Sequence, residues 1–273
     1  MRKNKSLLLS TPYIIWMVVF TLIPLGVVAY YAFTDPNTGA FSMKNILELQ
    51  NYMPVLWQSI LYSLISAVIC LLLGYPVAYY IAHRGQVVQK ILYMLVMLPM
   101  CMSFLLRTLA WVGLLQDTGI INNLLGLIGI GPLRMIRTPG AVILGMVYNY
   151  LPYMILPLYA IIVKIDNRLI EAAEDLGCNS FHVFTKVVLP LSMPGILSGL
   201  TMVFVPAVST FYISQKLGGT DTVLIGDVIE RQFKQGNNAN LGAALSLLLM
   251  ILVFICTGIM NRLGADEEGG VVV

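Results

Sequence analysis

Five stretches of this chain carry no charged side chain: 6–34, 49–83, 138–163, 187–215 and 235–261. A sixth, 91–116, is interrupted only by Arg107. Each exceeds the ~20 residues a helix needs to cross the hydrocarbon core of a bilayer. A charge left at the bilayer centre costs about 2.5–3.5 kcal/mol on insertion scales. No other feature narrows the fold so far. With 58% hydrophobic and 11% charged residues, against ~25% charge in an ordinary soluble domain, an all-α polytopic membrane protein is expected. Six transmembrane helices are predicted near 12–33, 59–82, 91–115, 140–163, 193–215 and 241–262, in a single transmembrane domain over 1–273.

Lysines and arginines in alternate loops orient the spans, because the cytoplasmic side holds their excess. Arg2, Lys3, Lys5, Arg84, Lys90, Lys164, Arg168, Lys186 and Arg262 fall on one side, and Lys44, Arg134, Arg137, Lys216, Arg231 and Lys234 on the other. The first set is expected in the cytoplasm, together with both termini. The net charge of +3 is too slight to suggest nucleic acid as a partner.

Bond-making chemistry finds no support. The two histidines, His83 and His182, lie in different segments, and H-E-x-x-H, G-x-S-x-G and G-x-x-x-x-G-K-[ST] patterns are missing from the sequence. The chain is expected not to be an enzyme and to bind no metal or cofactor, so any ATP and Mg2+ that power it would sit on another chain. Cys70, Cys101, Cys178 and Cys256 form no C-x-x-C pair and read as small apolar packers. No Asp or Glu lies inside a predicted span, which weighs against a proton-coupled secondary transporter.

Between the fourth and fifth spans lies the polar stretch EAAEDLGCNSFHVFTKVVLP, Glu171–Pro190. Asn167 can cap a helix with Leu169, Ala172 or Ala173, and Leu176 on one stripe, and Glu171, Glu174 and Asp175 on the other face. Gly177 falls where a helix end favours a left-handed residue. Ser180 can then cap a second helix bearing Phe181, Phe184 and Val187 or Val188, ended by Pro190 and Pro194. An amphipathic helix–turn–helix is predicted over 165–190. Lipid headgroups are one cover for its apolar stripe, but Lys164–Pro190 holds three basic and four acidic side chains, and a helix on an anionic leaflet should be basic. A groove on a soluble protein suits it better.

Glu171-Ala172-Ala173, Gly177 and Val187-Val188-Leu189-Pro190 resemble the EAA motif of the permease subunits of bacterial binding-protein-dependent ABC importers. That motif runs E-A-A, three residues, G, nine residues, I-x-L-P, with Val187 here at the isoleucine position. The stretches GYPVAYYIAHR, LLRTLAWVGLL and LGGTDTVLIGDVIERQF extend the likeness over nearly the whole chain, toward spermidine/putrescine importer permeases, with Asp227 where that pattern has asparagine. The resemblance implies a type I, MetI-like ABC importer permease fold in the bacterial inner membrane, with a cytoplasmic coupling helix. It also implies that Glu171, Ala172, Ala173, Gly177, Leu189 and Pro190 couple to an ATPase. The implied partners are a second permease subunit, an ATPase dimer and an extracytoplasmic polyamine-binding protein. Permeases for ferric iron, sulfate or molybdate are the related alternative.

A polycation calls for carboxylates and aromatic faces along its path. Trp111, Tyr148, Phe211, Tyr212 and Asp227 are the candidates this implies, with Tyr150, Asp117, Asp221 and Glu230 nearby. Interfacial anchoring and pairing with Arg231 or Lys234 are their ordinary alternatives. Arg107, ionisable inside a span, is expected in a structural or gating ion pair with an acid the sequence does not name, or snorkelling toward the external end.

Overall fold

The computed structural model describes residues 11–35, 39–129, 131–220, 222–234 and 238–268, with backbone alone for 261 and 263–268. Arg2, Lys3, Lys5 and Asp221 lie outside the described residues. In chain order the helices are α1 (Thr11–Ala32), α2 (Met53–Ala82), α3 (Gln86–Met97), α4 (Phe104–Leu115), α5 (Ile120–Leu127) and α6 (Pro139–Ile162). They continue as α7 (Asn167–Asp175), α8 (Ser180–Leu191), α9 (Met193–Val208), α10 (Tyr212–Leu217), α11 (Ile225–Lys234) and α12 (Ala239–Glu268). Among the described residues five helical stretches can cross a bilayer by length and composition, Thr11–Ala32, Lys44–Ala82, Phe104–Leu127, Pro139–Ile162 and Ala239–Met260, and six if the bent pair α8–α9 makes one span.

The chain forms two compact units. The first holds residues up to 54 and 228–252, the second 55–227 and 253 onward. In α1 none of the apolar window is buried. Within the first unit two buried amides fasten the end of α1. Asn45 Nδ2 donates to the carbonyls of Ala32 and Thr34 at 3.3 and 2.9 Å, and Asn240 Nδ2 donates to the Thr34 carbonyl at 2.6 Å.

The second unit is built around α6. Helix α2 runs parallel to it, Ser66 meeting Met146 and Gly74 lying against Met154 and Ile155. Helix α9 runs antiparallel and closer. A Cβ at Gly199 would stand 2.6 Å from Met154 Sδ, and one at Gly195 would stand 3.2 Å from the Pro157 carbonyl. Glycines one turn apart thus let two backbones approach, the small-residue device of membrane helix pairs. Helices α3 and α4 retrace α6 in the opposite sense. Gln89 accepts from the Tyr159 hydroxyl at 3.4 Å near the end of α6, and Trp111 meets Tyr148 at 5.4 Å further back.

Two predicted spans are interrupted. The helix expected over 91–115 is divided between α3 and α4 by the 3-10 turn Leu98–Cys101 and extended backbone at Met102. Pro99 explains the break, since it supplies no amide hydrogen and crowds the preceding turn. The helix expected over 193–215 stops at Val208 and resumes as α10. The Pro206 carbonyl, which an uninterrupted helix would offer to the Thr210 amide, accepts instead from the hydroxyls of Tyr150 and Ser209, each at 3.3 Å.

Candidate functional site: a helical hairpin and an aromatic span

The hairpin hangs from the end of α6. Its first helix is capped by Asp166, whose Oδ1 accepts the Arg168 amide at 3.0 Å. Its second is capped by Asn179, whose Oδ1 accepts the His182 amide at 2.9 Å. Each cap falls one residue before the Asn167 and Ser180 expected, because Asp-Asn and Asn-Ser both offer two capping side chains in a row. Gly177 has φ +82°. Its amide donates to Glu174 at 2.8 Å while Cys178 donates to Ala173 at 3.1 Å, the paired bonds of a Schellman turn. A Cβ at Gly177 would meet nothing within 4 Å, so the constraint there is the backbone conformation alone.

Leu169, Leu176 and Phe181 are 50%, 86% and 70% exposed, and Glu171, Glu174 and Asp175 are exposed beside them. Among the described residues Leu169, Leu176 and Phe181 find no cover, whereas Val183 and Val188 are buried and anchor α8. Helix α8 runs through Pro190 to Leu191 rather than ending there, then bends by 63° into α9. Ser192 sits at the bend, fully buried. Its hydroxyl pairs with that of Tyr75 at 2.8 Å and donates to the Leu189 carbonyl at 3.0 Å, while the Tyr75 ring meets Phe184 edge-on at 5.5 Å. The sequence marked this joint only by a serine set between Pro190 and Pro194.

Of the residues expected to meet substrate, Trp111 and Tyr148 form one edge-to-face pair. Tyr212 lies beside Phe104 at 6.2 Å, with Lys216 Nζ 5.7 Å from its ring centre. Tyr148 and Phe211 remain open to the surface. Asp227 is 2% exposed and its Oδ2 accepts the Leu224 amide at 3.0 Å, tying down the start of α11 as an acid in a first turn does. The next amide, Ile225, donates to Ser59 Oγ at 2.8 Å. Glu230 is paired with Lys234.

Arg107 is 6% exposed. Since Trp111 faces Tyr148 and the helices run antiparallel, Arg107, one turn earlier, falls opposite the middle of α6. Nε and Nη1 are buried without a hydrogen-bond partner among the described residues, and no ion pair to a described carboxylate is formed. The ion pair expected for it is therefore not made within the described chain.

A family model described as "Binding-protein-dependent transport system inner membrane component" matches residues 71–265, taking in the hairpin and the whole of α6. The chain belongs to this family. The permease is 40% identical to the spermidine/putrescine transport system permease protein PotB of Haemophilus influenzae, over 88% of each chain. It is 36% identical to PotB of Escherichia coli, over 87% of this chain and 90% of that one. Among solved structures, a chain of a bacterial ABC transporter that imports the acidic polysaccharide alginate superposes with TM-score 0.81 at 19% identity, covering 97% and 96% of the two chains. A chain of the MetNI methionine ABC transporter superposes at 0.61 and 18% identity, covering 79% and 95%. At such identities these neighbours speak for the fold, which is that of ABC importer permeases. The permease is accordingly a multi-pass inner-membrane component of a binding-protein-dependent transport system.

Proposed function

We propose that this permease is one of two membrane subunits of an ATP-driven importer of polyamines, of the spermidine and putrescine class, and supplies half of the pathway. The substrate class is carried by the 36–40% identity to PotB permeases over nearly nine-tenths of the chain. The coupling role is supported by the hairpin 165–190, whose apolar stripe and acidic face are presented together at one end of the second unit. Glu171, Ala172, Ala173, Gly177, Leu189 and Pro190 occupy the motif positions of that segment.

In this reading ATP and Mg2+ bind between two ATPase subunits, and their closure moves the hairpin held in the ATPase cleft. The Schellman turn at Gly177 and the bend at Ser192 pass that motion to α6 and α9. Arg84, Lys90, Lys164, Arg168 and Lys186 all belong to the hairpin end, which supports a cytoplasmic location for it. An extracytoplasmic binding protein delivers the polyamine at the opposite end. There Trp111, Tyr148, Phe211 and Tyr212 offer ring faces, each worth roughly 0.5–2 kcal/mol to a cation. Uptake by the complete system should saturate with labelled spermidine or putrescine and ignore molybdate, sulfate and ferric iron. Oxyanion or iron transport without polyamine uptake would contradict the substrate class.

A further inference from the structure

Where α6 begins, two loops meet in a pocket of about 520 Å³ lined by Gln116, Asp117, Thr118, Arg134, Ile136 and Arg137. The 24 residues of α6, at ~36 Å of helix, separate it from the hairpin. Arg134, Arg137 and Asp117 are exposed, and none of the three is in an ion pair among the described residues. We infer that this pocket receives an acidic side chain presented by the extracytoplasmic binding protein, with Asp117 taking a basic group beside it.

The lining selects the ligand. Two guanidinium groups in the lining suit a carboxylate and repel a free polyamine, so the pocket stands apart from the substrate's own route. An anionic lipid headgroup would meet the charge of Asp117 as well as the arginines. A protein surface, which can set opposite charges side by side, satisfies both.

The backbone connects the pocket to the moving parts. Arg137 has φ +61°, the only left-handed non-glycine residue among those described. Its amide donates to the Leu217 carbonyl at 2.9 Å, and its own carbonyl would stand 2.9 Å from a Cβ at Gly219. Such a conformation persists only where the surroundings enforce it, and it gathers at functional positions. Arg137 directly precedes Thr138, whose hydroxyl caps α6 by accepting the Ala141 amide at 3.2 Å, and α6 leads straight to the hairpin. Leu217 ends α10, which begins at Tyr212. Arg137 is thus joined through Thr138 to α6, which leads to the hairpin, and through Leu217 to the end of α10.

This inference rests on the reading that the permease takes substrate from a binding protein. The test uses the complete transporter in nanodiscs, titrated with its purified, polyamine-loaded binding protein. Asparagine accepts positive φ better than most side chains, so Arg137→Asn removes the charge and keeps the backbone, while Arg134→Gln lies at an ordinary backbone position. The double variant should assemble with normal ATPase content, need about tenfold more binding protein for half-maximal ATPase stimulation, and show a weaker salt dependence. Arg134→Gln alone should shift the same way by less, and serves if the double variant assembles poorly. An unchanged half-maximal concentration and salt slope, in a transporter whose wild type responds to the binding protein, overturns the docking site and leaves the importer reading intact. A wild-type transporter that ignores the binding protein overturns both. A shift that appears only with anionic lipid assigns the pocket to a headgroup and overturns it as well.

Discussion

Gly177 and Gly199 are the same residue held for different reasons, and substitution separates them. At Gly177 the backbone is left-handed and the space around it is open. A side chain there pays roughly 1 kcal/mol in conformation, more when β-branched, and clashes with nothing. Gly177→Val should reach the membrane at wild-type level, hold the ATPase less well, and lose at least tenfold in uptake, about what 1.4 kcal/mol of lost coupling produces. Gly177→Asn should keep most of it. Wild-type uptake and ATPase retention in the valine variant would remove the hairpin from the coupling path. At Gly199 the constraint is Met154 across the helix pair. Gly199→Leu over-packs that contact, at roughly 1–3 kcal/mol, and should lower the amount of folded permease in the membrane. Normal abundance of that variant would mean that α6 and α9 do not rely on the close approach. Gly177 was legible in the sequence because it follows an amphipathic stripe at a helix end. Gly199 was not, since its meaning depends on which helix it faces.

At the scale of elements, the positions of most spans follow from the cost of buried charge, whereas the third falls at Phe104–Leu127 instead of 91–115 and the interruptions do not follow from it. Pro99 divides one predicted helix and leaves a recognisable mark, but at the gap after Val208 the Pro206 carbonyl is taken by Ser209 and by Tyr150, the latter a contact 56 residues away in sequence. The joint at Ser192 is of the same kind. The hydroxyl pair Tyr75–Ser192 spans 117 positions and holds the hairpin's second helix at its angle to α9. Tyr75→Phe keeps the ring contact with Phe184 and removes one buried hydrogen bond, worth about 1 kcal/mol. Ser192→Ala removes the same bond from the other side, together with the bond to the Leu189 carbonyl. Each should fold normally and transport polyamine several-fold more slowly. Because the Tyr75–Ser192 bond is lost in both, the double variant should be little worse than Ser192→Ala alone. Losses that simply add would show that the two side chains act separately.

For the molecule as a whole, the charge asymmetry of the loops and the geometry of α6 bear on one question, which end faces the cytoplasm. The hairpin follows the end of α6, and the segment 116–138 leaves and rejoins the unit at its beginning, since Gln116, Asp117 and Thr118 share a pocket with Arg134 and Arg137. A residue in the loop before α6 and a residue in the hairpin must then lie on opposite faces of the membrane, whichever way the chain is oriented. Asn167 is exposed at the first turn of α7, and Gly131 is exposed with open space around its Cβ position. Gly218 is a poor probe site by comparison, because a Cβ there would run into the Ser214 carbonyl and Thr222 Oγ1. With Cys70, Cys101, Cys178 and Cys256 replaced, Gly131→Cys should react in spheroplasts with a membrane-impermeant thiol reagent. Asn167→Cys should react only after the membrane is opened. The lysine and arginine excess near the hairpin, favourable on the cytoplasmic face, sets that order. The reverse pattern would leave the helix arrangement standing and invert the chain. Equal labelling of both in closed spheroplasts would mean that α6 does not cross the bilayer, and the six-span arrangement would fall with it.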